Sequence, residues 1–543
     1  MIFINQVGYP TNSKKVAVSL APCNFQVIDI KDNHIAFEGK SSDIIYDPSA
    51  EENVYQLDFS ELTTPGEYYI MGGNTGKSYA FVIGDVPYSK LIYDVSKCLY
   101  YQRCGCGLEE RFAGIYKRPS CHTAESILLE DYIRKTPNPK TYDTSGGWHD
   151  AGDFGKYVSA GAVAVAHILY AYELYPEAFG YSMNIPESGN GIPDILNECY
   201  YELSWMLKMQ SSQGGVYHKV TAFKHPEFIM PQDDKDDFLI FPVSSFSTAD
   251  FAAVMALASR VYKPFMPEFS ERAFEAAVKA GEWLGRNSYV GFKNPEGCNT
   301  GEYGDETDTD ERLWAFAELA RVDKAKRTWA LKKMSLLLEE DFKYDFGWED
   351  VSGLAAFSVL TDPEHTFGTI ERKFENEILK LASRNVKSSR QNGYMLAMNP
   401  DEFVWGSNMQ ILNKSILMIL ASRLSKGSEK DSYINCALEH IHYILGRNPL
   451  NISYVTGFGE NAFKNPHHRV TETDGVDTPH PGWVSGGPFG HFCDDAAKNF
   501  LKPGTAPMKC YVDHVGSYST NEVTIYWNSP LIFILAFINS QIK

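Results

Sequence analysis

Cysteine is scarce in this chain, ten residues in 543. That density excludes a disulfide-built scaffold, so most of the thiols are expected to be free and buried, Cys199 and Cys436 inside helical patterns among them. Positive charge is in short supply too: 50 Lys and Arg against 69 Asp and Glu leave a net charge of −19. A surface of that sign repels phosphate backbones and anionic lipid, which excludes nucleic acid and membrane as expected partners. No apolar run reaches the roughly 18 residues that read as a membrane-spanning helix. The opening segment MIFINQVGYPTNSKK has no basic n-region, no continuous apolar h-region and no small-residue cleavage site. It predicts a cytoplasmic protein, or a secreted one if a leader was removed. No repeat in residue identity is visible, which argues against an open solenoid.

What is present is the balance of a soluble globular protein, with 44% hydrophobic and 22% charged residues. The length of 543 residues suggests two or more domains. Residues 1–86 alternate apolar and polar in KVAVSL, FQVIDI, VYQLDF and YYIMGG, between Asn, Asp, Gly and Pro turns. That pattern predicts a small Ig-like β-sandwich, with a hinge near Pro87. From there to residue 543 the period becomes helical. KYVSAGAVAVAHILYAYELYP, TADFAAVMALASRVY and NMQILNKSILMILASRLS are examples, and about a dozen helices are expected. Twelve helices suit six hairpins closed into an (α/α)6 barrel, with long Gly-, Pro- and aromatic-rich loops carrying the function.

Three segments carry chemistry. GGWHDAGDFGKYV, residues 146–158, sets Asp150 and Asp153 three residues apart on a glycine-rich loop, with Trp148 and Phe154 as apolar faces for a flat ligand. Paired acids beside aromatics suit sugar hydrolysis, although two such aspartates also serve as turn formers or helix caps. CYVDHVGSYSTNEVTIYWNSP, residues 510–530, offers Asp513 and Glu522 ahead of an apolar helix. A carboxyl at the start of a helix in apolar surroundings suits a general acid, or Ser519, Thr520 and Glu522 simply cap that helix. SYVTGFGENAFKNPHHRV, residues 453–470, ends in His467, His468 and Arg469, donors suited to sugar hydroxyls.

Together these segments resemble glycoside hydrolase family 9, the family of many inverting cellulases. Its histidine signature is matched from Ser453 through Gly459 and Asn461 to His467 and Arg469, and its acidic signature by Tyr511, Asp513, Tyr518, Glu522, Thr524, Asn528 and Ser529. INQVGY, GIPDIL, GEYGD and LGRNP look like its Ig-bearing branch. The resemblance implies Asp153 as general base, Asp150 as the partner that positions the water, Glu522 as general acid and Asp513 in support. It implies that His467 and Arg469 grip the sugar. An inverting pair stands roughly 6.5–9.5 Å apart, and a closed barrel is what would bring residues 153 and 522 to opposite walls of one cleft.

Two metals enter the same reading. Cys104, Cys121, His122 and His149 make a plausible tetrahedral zinc set, with Cys106 as an alternative to Cys104; the resemblance implies a structural zinc at similar positions. The acidic run 301–314 offers hard oxygen ligands for calcium or is a solvated loop; the resemblance favours calcium, with Asp305 and Asp310. The expected activity is inverting hydrolysis of β-1,4-linked glucan, cello-oligosaccharides above all. Exo-β-glucosaminidase action on chitosan oligosaccharides is the alternative within the family. Outside it stands a non-catalytic carbohydrate-binding protein of the same fold, which would not need the acids. Uronic-acid lyases and hydrolases on such barrels lack these signatures together.

Overall fold

Alternating burial organises the N-terminal strands of the structure, a computed structural model that describes residues 1–84 and 87–541. In Gly66–Met71 the side chains of Tyr68 and Ile70 point inward while their neighbours are half-buried or exposed, the period of two that a one-sided strand imposes. One sheet orders Ile2–Phe3, Val16–Ser19, Glu52–Asp58 and Ile45–Asp47. The other orders Gly8–Tyr9, Phe81–Ile83, Gly66–Met71, Asn24–Asp29 and Ile35–Lys40. Phe25, Val27, Leu57, Phe59, Tyr68 and Phe81 are among the residues of their shared core. The last strand ends at Ile83 and the first helix starts at Pro87; the expected boundary after residue 86 lies outside the described residues.

Twelve helices of nine residues or more follow among the described residues. By packing, the chain forms two compact units: Met1–Cys98 with Leu379–His467 and Asp477–Lys543, and Leu99–Ile378 with His468–Val476. In the second unit Val158–Leu174, Ser245–Val261, Thr309–Val322 and Ser352–Leu360 pack in succession. The first two are buried almost all round, as helices apolar on every face must be. Pro267–Arg286 packs on Ser245–Val261 through one stripe, Phe269, Ala273, Ala277, Ala280 and Leu284, whose small residues allow close approach.

A sheet of five short strands in this unit, absent from the sequence expectation, pairs Lys156–Tyr157 with Lys219–Thr221. It anchors the end of the acid-bearing loop. In the first unit Ser407–Leu424 packs on Gly427–Ile444 and Ile525–Gln541. The β-domain is bonded into this unit: Asn5 Nδ2 meets His442 Nδ1 at 2.9 Å and Gln6 Nε2 donates to the Asn451 carbonyl at 3.0 Å. No helix among the described residues is long and apolar enough to cross a membrane.

Candidate active site

The acid loop of the second unit is held from several sides. Lys156 Nζ, on a side chain 1% exposed, donates to the carbonyls of Thr144 and Gly146. Glu202 accepts from the Trp148 backbone N–H at 2.6 Å, and Glu198 from Trp148 Nε1 at 2.9 Å. Gly147 sits at φ +76°, where a Cβ would come within 2.8 Å of the Trp205 ring; only glycine meets both demands. Trp148 and Phe154 are buried, so neither offers a face to a ligand. That corrects the sequence expectation: Trp148 is a structural anchor, and Phe154 packs on His122 and His149.

Asp150 and Asp153 are both buried but unequal. Burial, then the charge of Asp153, pushes the Asp150 carboxyl well above its usual range, with Tyr303 Oη donating to its Oδ2. Burial pushes Asp153 the same way, but His225, Arg469, the Gly155 N–H and the Tyr157 hydroxyl outweigh it and hold that carboxyl below its usual range. The two carboxyls are thus pushed in opposite directions, Asp150 toward its neutral form and Asp153 toward its charged form. Arg469 places Nη1 on the Gly152 carbonyl and Nε on the Pro226 carbonyl, both at 3.0 Å. Tyr303, at φ +46° and packed between Tyr157 and Trp348, lies within GEYGD, but its contact with Asp150 was not expected; His225 lies outside every motif.

Beside this loop the four expected metal ligands converge. One ligand atom from each of Cys104, Cys121, His122 and His149 lies within 4.8 Å of all the others. His149 Nε2 is 3.3 Å from His122 Nδ1; Cys104 Sγ is 3.8 Å from His122 Nδ1, and Cys121 Sγ 3.9 Å from His149 Nε2. A tetrahedral zinc with bonds of about 2.0 Å to nitrogen and 2.3 Å to sulfur sets these gaps near 3.3 and 3.5 Å, so the donor set fits. Burial pushes His149 down to about 4, which keeps it a neutral ligand. Asp234 lies 3.3 Å from His122 Nε2, the carboxylate that typically orients a ligating histidine. Cys106 is not in the set.

The expected calcium residues line an acidic cleft of about 560 Å³ together with Glu349, Asp350 and Lys343. Asp305 and Asp310 do not belong to any cluster of three ligand atoms within 4.8 Å among the described residues. Asp310 Oδ2 accepts from the Val351 N–H at 2.8 Å. Next to it Glu311 is 1% exposed, and its Oε2 has no partner among the described residues. Burial and Asp310 push Asp350 up to about 7. Acidic oxygens line the cleft, but among the described residues they do not converge as a calcium shell of oxygens at about 2.4 Å requires.

In the first unit His467 and Glu522 are bridge partners on adjacent extended segments, with the His467 N–H on the Asn521 carbonyl at 2.9 Å. Glu522 has extended backbone and the helix begins only at Ile525. It therefore does not stand at a helix start, and neither it nor Ser519 and Thr520 caps that helix. Asp513 accepts from the N–H groups of Lys464 and Asn465 and from Asn521 Nδ2 at 2.8–3.1 Å. It ties the segments bearing His467 and Glu522 together. His467 Nδ1 meets the Val515 carbonyl at 2.6 Å, and its ring packs on Tyr518, which packs on Trp405.

The sequence profile of glycosyl hydrolase family 9 matches residues 88–535, and that of the cellulase N-terminal Ig-like domain matches residues 1–77. The chain belongs to glycosyl hydrolase family 9. It is a glycoside hydrolase, and its β-domain followed by a helical catalytic domain is the family's fold. A cellodextrinase of Butyrivibrio fibrisolvens is 39% identical over 98% of this chain and 99% of its own. Endoglucanase D of Acetivibrio thermocellus is 33% identical over 99% of this chain and 83% of its own length. Among solved structures, AaCel9A in complex with cellobiose-like isofagomine superposes with a TM-score of 0.92 at 34% identity, over 99% of both chains.

Proposed function

We propose that this family 9 enzyme hydrolyses β-1,4-glucosidic bonds of cello-oligosaccharides by single displacement with inversion. The observation that carries the reading is the braced acid loop: Asp150 and Asp153 are both buried, Tyr303 donates to Asp150, Tyr157 and the Gly155 N–H donate to Asp153, and Arg469 holds the Gly152 carbonyl between them. The full-length likeness to a cellodextrinase and to a structure holding a cellobiose-like ligand supports the substrate class. Asp153 takes a proton from water as the water oxygen attacks the anomeric carbon. Glu522 gives its proton to the glycosidic oxygen as the bond breaks. Asp150 orients the water. His467 grips the sugar before the cleaved bond; Arg469 contributes by bracing the base loop through Gly152 as well.

Zinc at Cys104, Cys121, His122 and His149 would tether the loop that follows His149. Calcium, if bound in the acidic cleft, would draw on Asp305 and Asp310, which would have to move closer together to share it. Both are structural in this reading.

Proton NMR of products from cellopentaose is expected to show the α-anomer first; the β-anomer appearing first overturns inversion. Cleavage of a chitosan pentamer in place of cellopentaose would reassign the sugar. Glu522→Gln is expected to lower kcat about 100- to 10,000-fold on a substrate with a poor leaving group.

A further inference from the structure

His225 stands at the proposed base without belonging to any of the motifs. Its backbone N–H donates to Asn299 Oδ1 at 2.8 Å, and the carbonyl of the next residue, Pro226, accepts from Arg469 Nε at 3.0 Å. The backbone is thus fixed on both sides of the imidazole. Nδ1 lies 3.5 Å from Asp153 Oδ2; it is buried and, among the described residues, has no hydrogen-bond partner. The same Oδ2 accepts from the Gly155 N–H at 3.1 Å and the Tyr157 hydroxyl at 3.2 Å. The charged groups facing the imidazole are Asp153, Arg469 and Lys219. Those facing Asp153 are His225, Arg469 and Lys219, with Tyr157 and the acid Asp150 as its other titratable neighbours.

We infer that His225 is a positioning residue for the base, its Nδ1–H closing onto Asp153 Oδ2 so that the carboxylate stays ionised and offers Oδ1 to the attacking water. A buried donor left unpaired costs about 1–3 kcal/mol, so contraction from 3.5 Å to hydrogen-bond length is favoured. Burial pushes the imidazole below its ordinary range; Asp153 pulls it up, and Arg469 and Lys219 push it down. Three donors on one oxygen also make the two carboxylate oxygens distinct, which a base that must address a single water requires. The inference rests on Asp153 being the base.

The test is the pH profile of kcat/KM on cellopentaose for the parent, His225→Phe and His225→Gln. Phenylalanine keeps the ring volume and removes the donor, so the acid limb is expected to move up by about 0.5–1 pH unit, a three- to tenfold loss on that limb, with KM little changed. Glutamine retains an amide donor and is expected to stay within about 0.3 unit of the parent. A phenylalanine profile that superimposes on the parent's, or a glutamine profile that moves as far as phenylalanine's, overturns the inference. If His225→Phe fails to fold by circular dichroism, His225→Ala carries the test, with added imidazole expected to return the limb toward the parent's and overturning the inference if it does not. Turnover surviving in Asp153→Ala would refute the base and this inference together. Loss of turnover there with an unmoved His225→Phe profile refutes this inference alone.

Discussion

Tyr303 shows how much of the site hangs on single hydroxyls. Its Oη donates to Oδ2 of Asp150, whose Oδ1 has no partner among the described residues. Removing that donor leaves a buried carboxyl with still less to hold its orientation. Tyr303→Phe is expected to lower kcat about tenfold or more, roughly 1.4 kcal/mol, with little change in KM; steady-state kinetics on cellopentaose checks it, and an unchanged kcat would sink the assignment. At this scale legibility was uneven. The segments bearing Asp150, Asp153 and Glu522 stand out because each is a contiguous motif, whereas Cys104, Cys121, His122 and His149 are named on a resemblance that their spacing alone does not carry; the fold brings those four together. The contacts of Tyr303, His225, Asp234 and Asn521 were not legible, because the fold makes each of them, although Tyr303 and Asn521 lie within motifs. Trp148 and Phe154 misled for the converse reason: an aromatic beside an acid looks alike in sequence whether it faces a ligand or the core.

Among elements, the long helices were the easiest to anticipate, since a helix buried on every face writes its length into an unbroken apolar run, as Val158–Leu174 does. The five-stranded sheet was not, because two or three residues per strand carry no period to detect. Glu522 was misplaced for a related reason. The chain before Ile525 is polar and capping-like, yet its backbone is spent on pairing with the His467 segment. The element that most rewards testing is the loop between Gly146 and Lys156. Cys121→Ser is expected to lose bound zinc, measured by plasma mass spectrometry, and to lower the melting temperature while the loop becomes sensitive to limited proteolysis. Stoichiometric zinc retained in that variant would remove the ligand assignment.

For the whole molecule, acid is the expected weakness. Burial pushes His167, His218 and His440 down to about 3 from an ordinary 6.5. Above 6.5 they are neutral in both states and do not affect folding. Below it the unfolded chain takes up protons that the folded chain refuses, so stability falls as pH drops toward 3. Melting temperature should decline from pH 6.5 to 4, and less steeply in His440→Gln; an equally steep decline in that variant would refute the origin. A second expectation concerns the β-domain. With Asn5 and Gln6 bonded to His442 and Asn451, deleting residues 1–84 should leave an insoluble remainder, and a soluble, monomeric product on gel filtration would contradict it. The division of the chain into a β-rich start and a helical remainder was legible from periodicity, whereas the bonding of that start to the C-terminal helices was not, since it runs through single polar side chains.

The pairing of Cys104 with Cys121 has one more consequence. Their sulfurs lie within 4.8 Å of each other, at the site proposed for zinc. Occupied, the thiolates are shielded as ligands; emptied by a chelator, they become neighbours open to oxidation. Preparations purified without metal would then age in air, losing activity in a way that reductant reverses early and zinc alone does not.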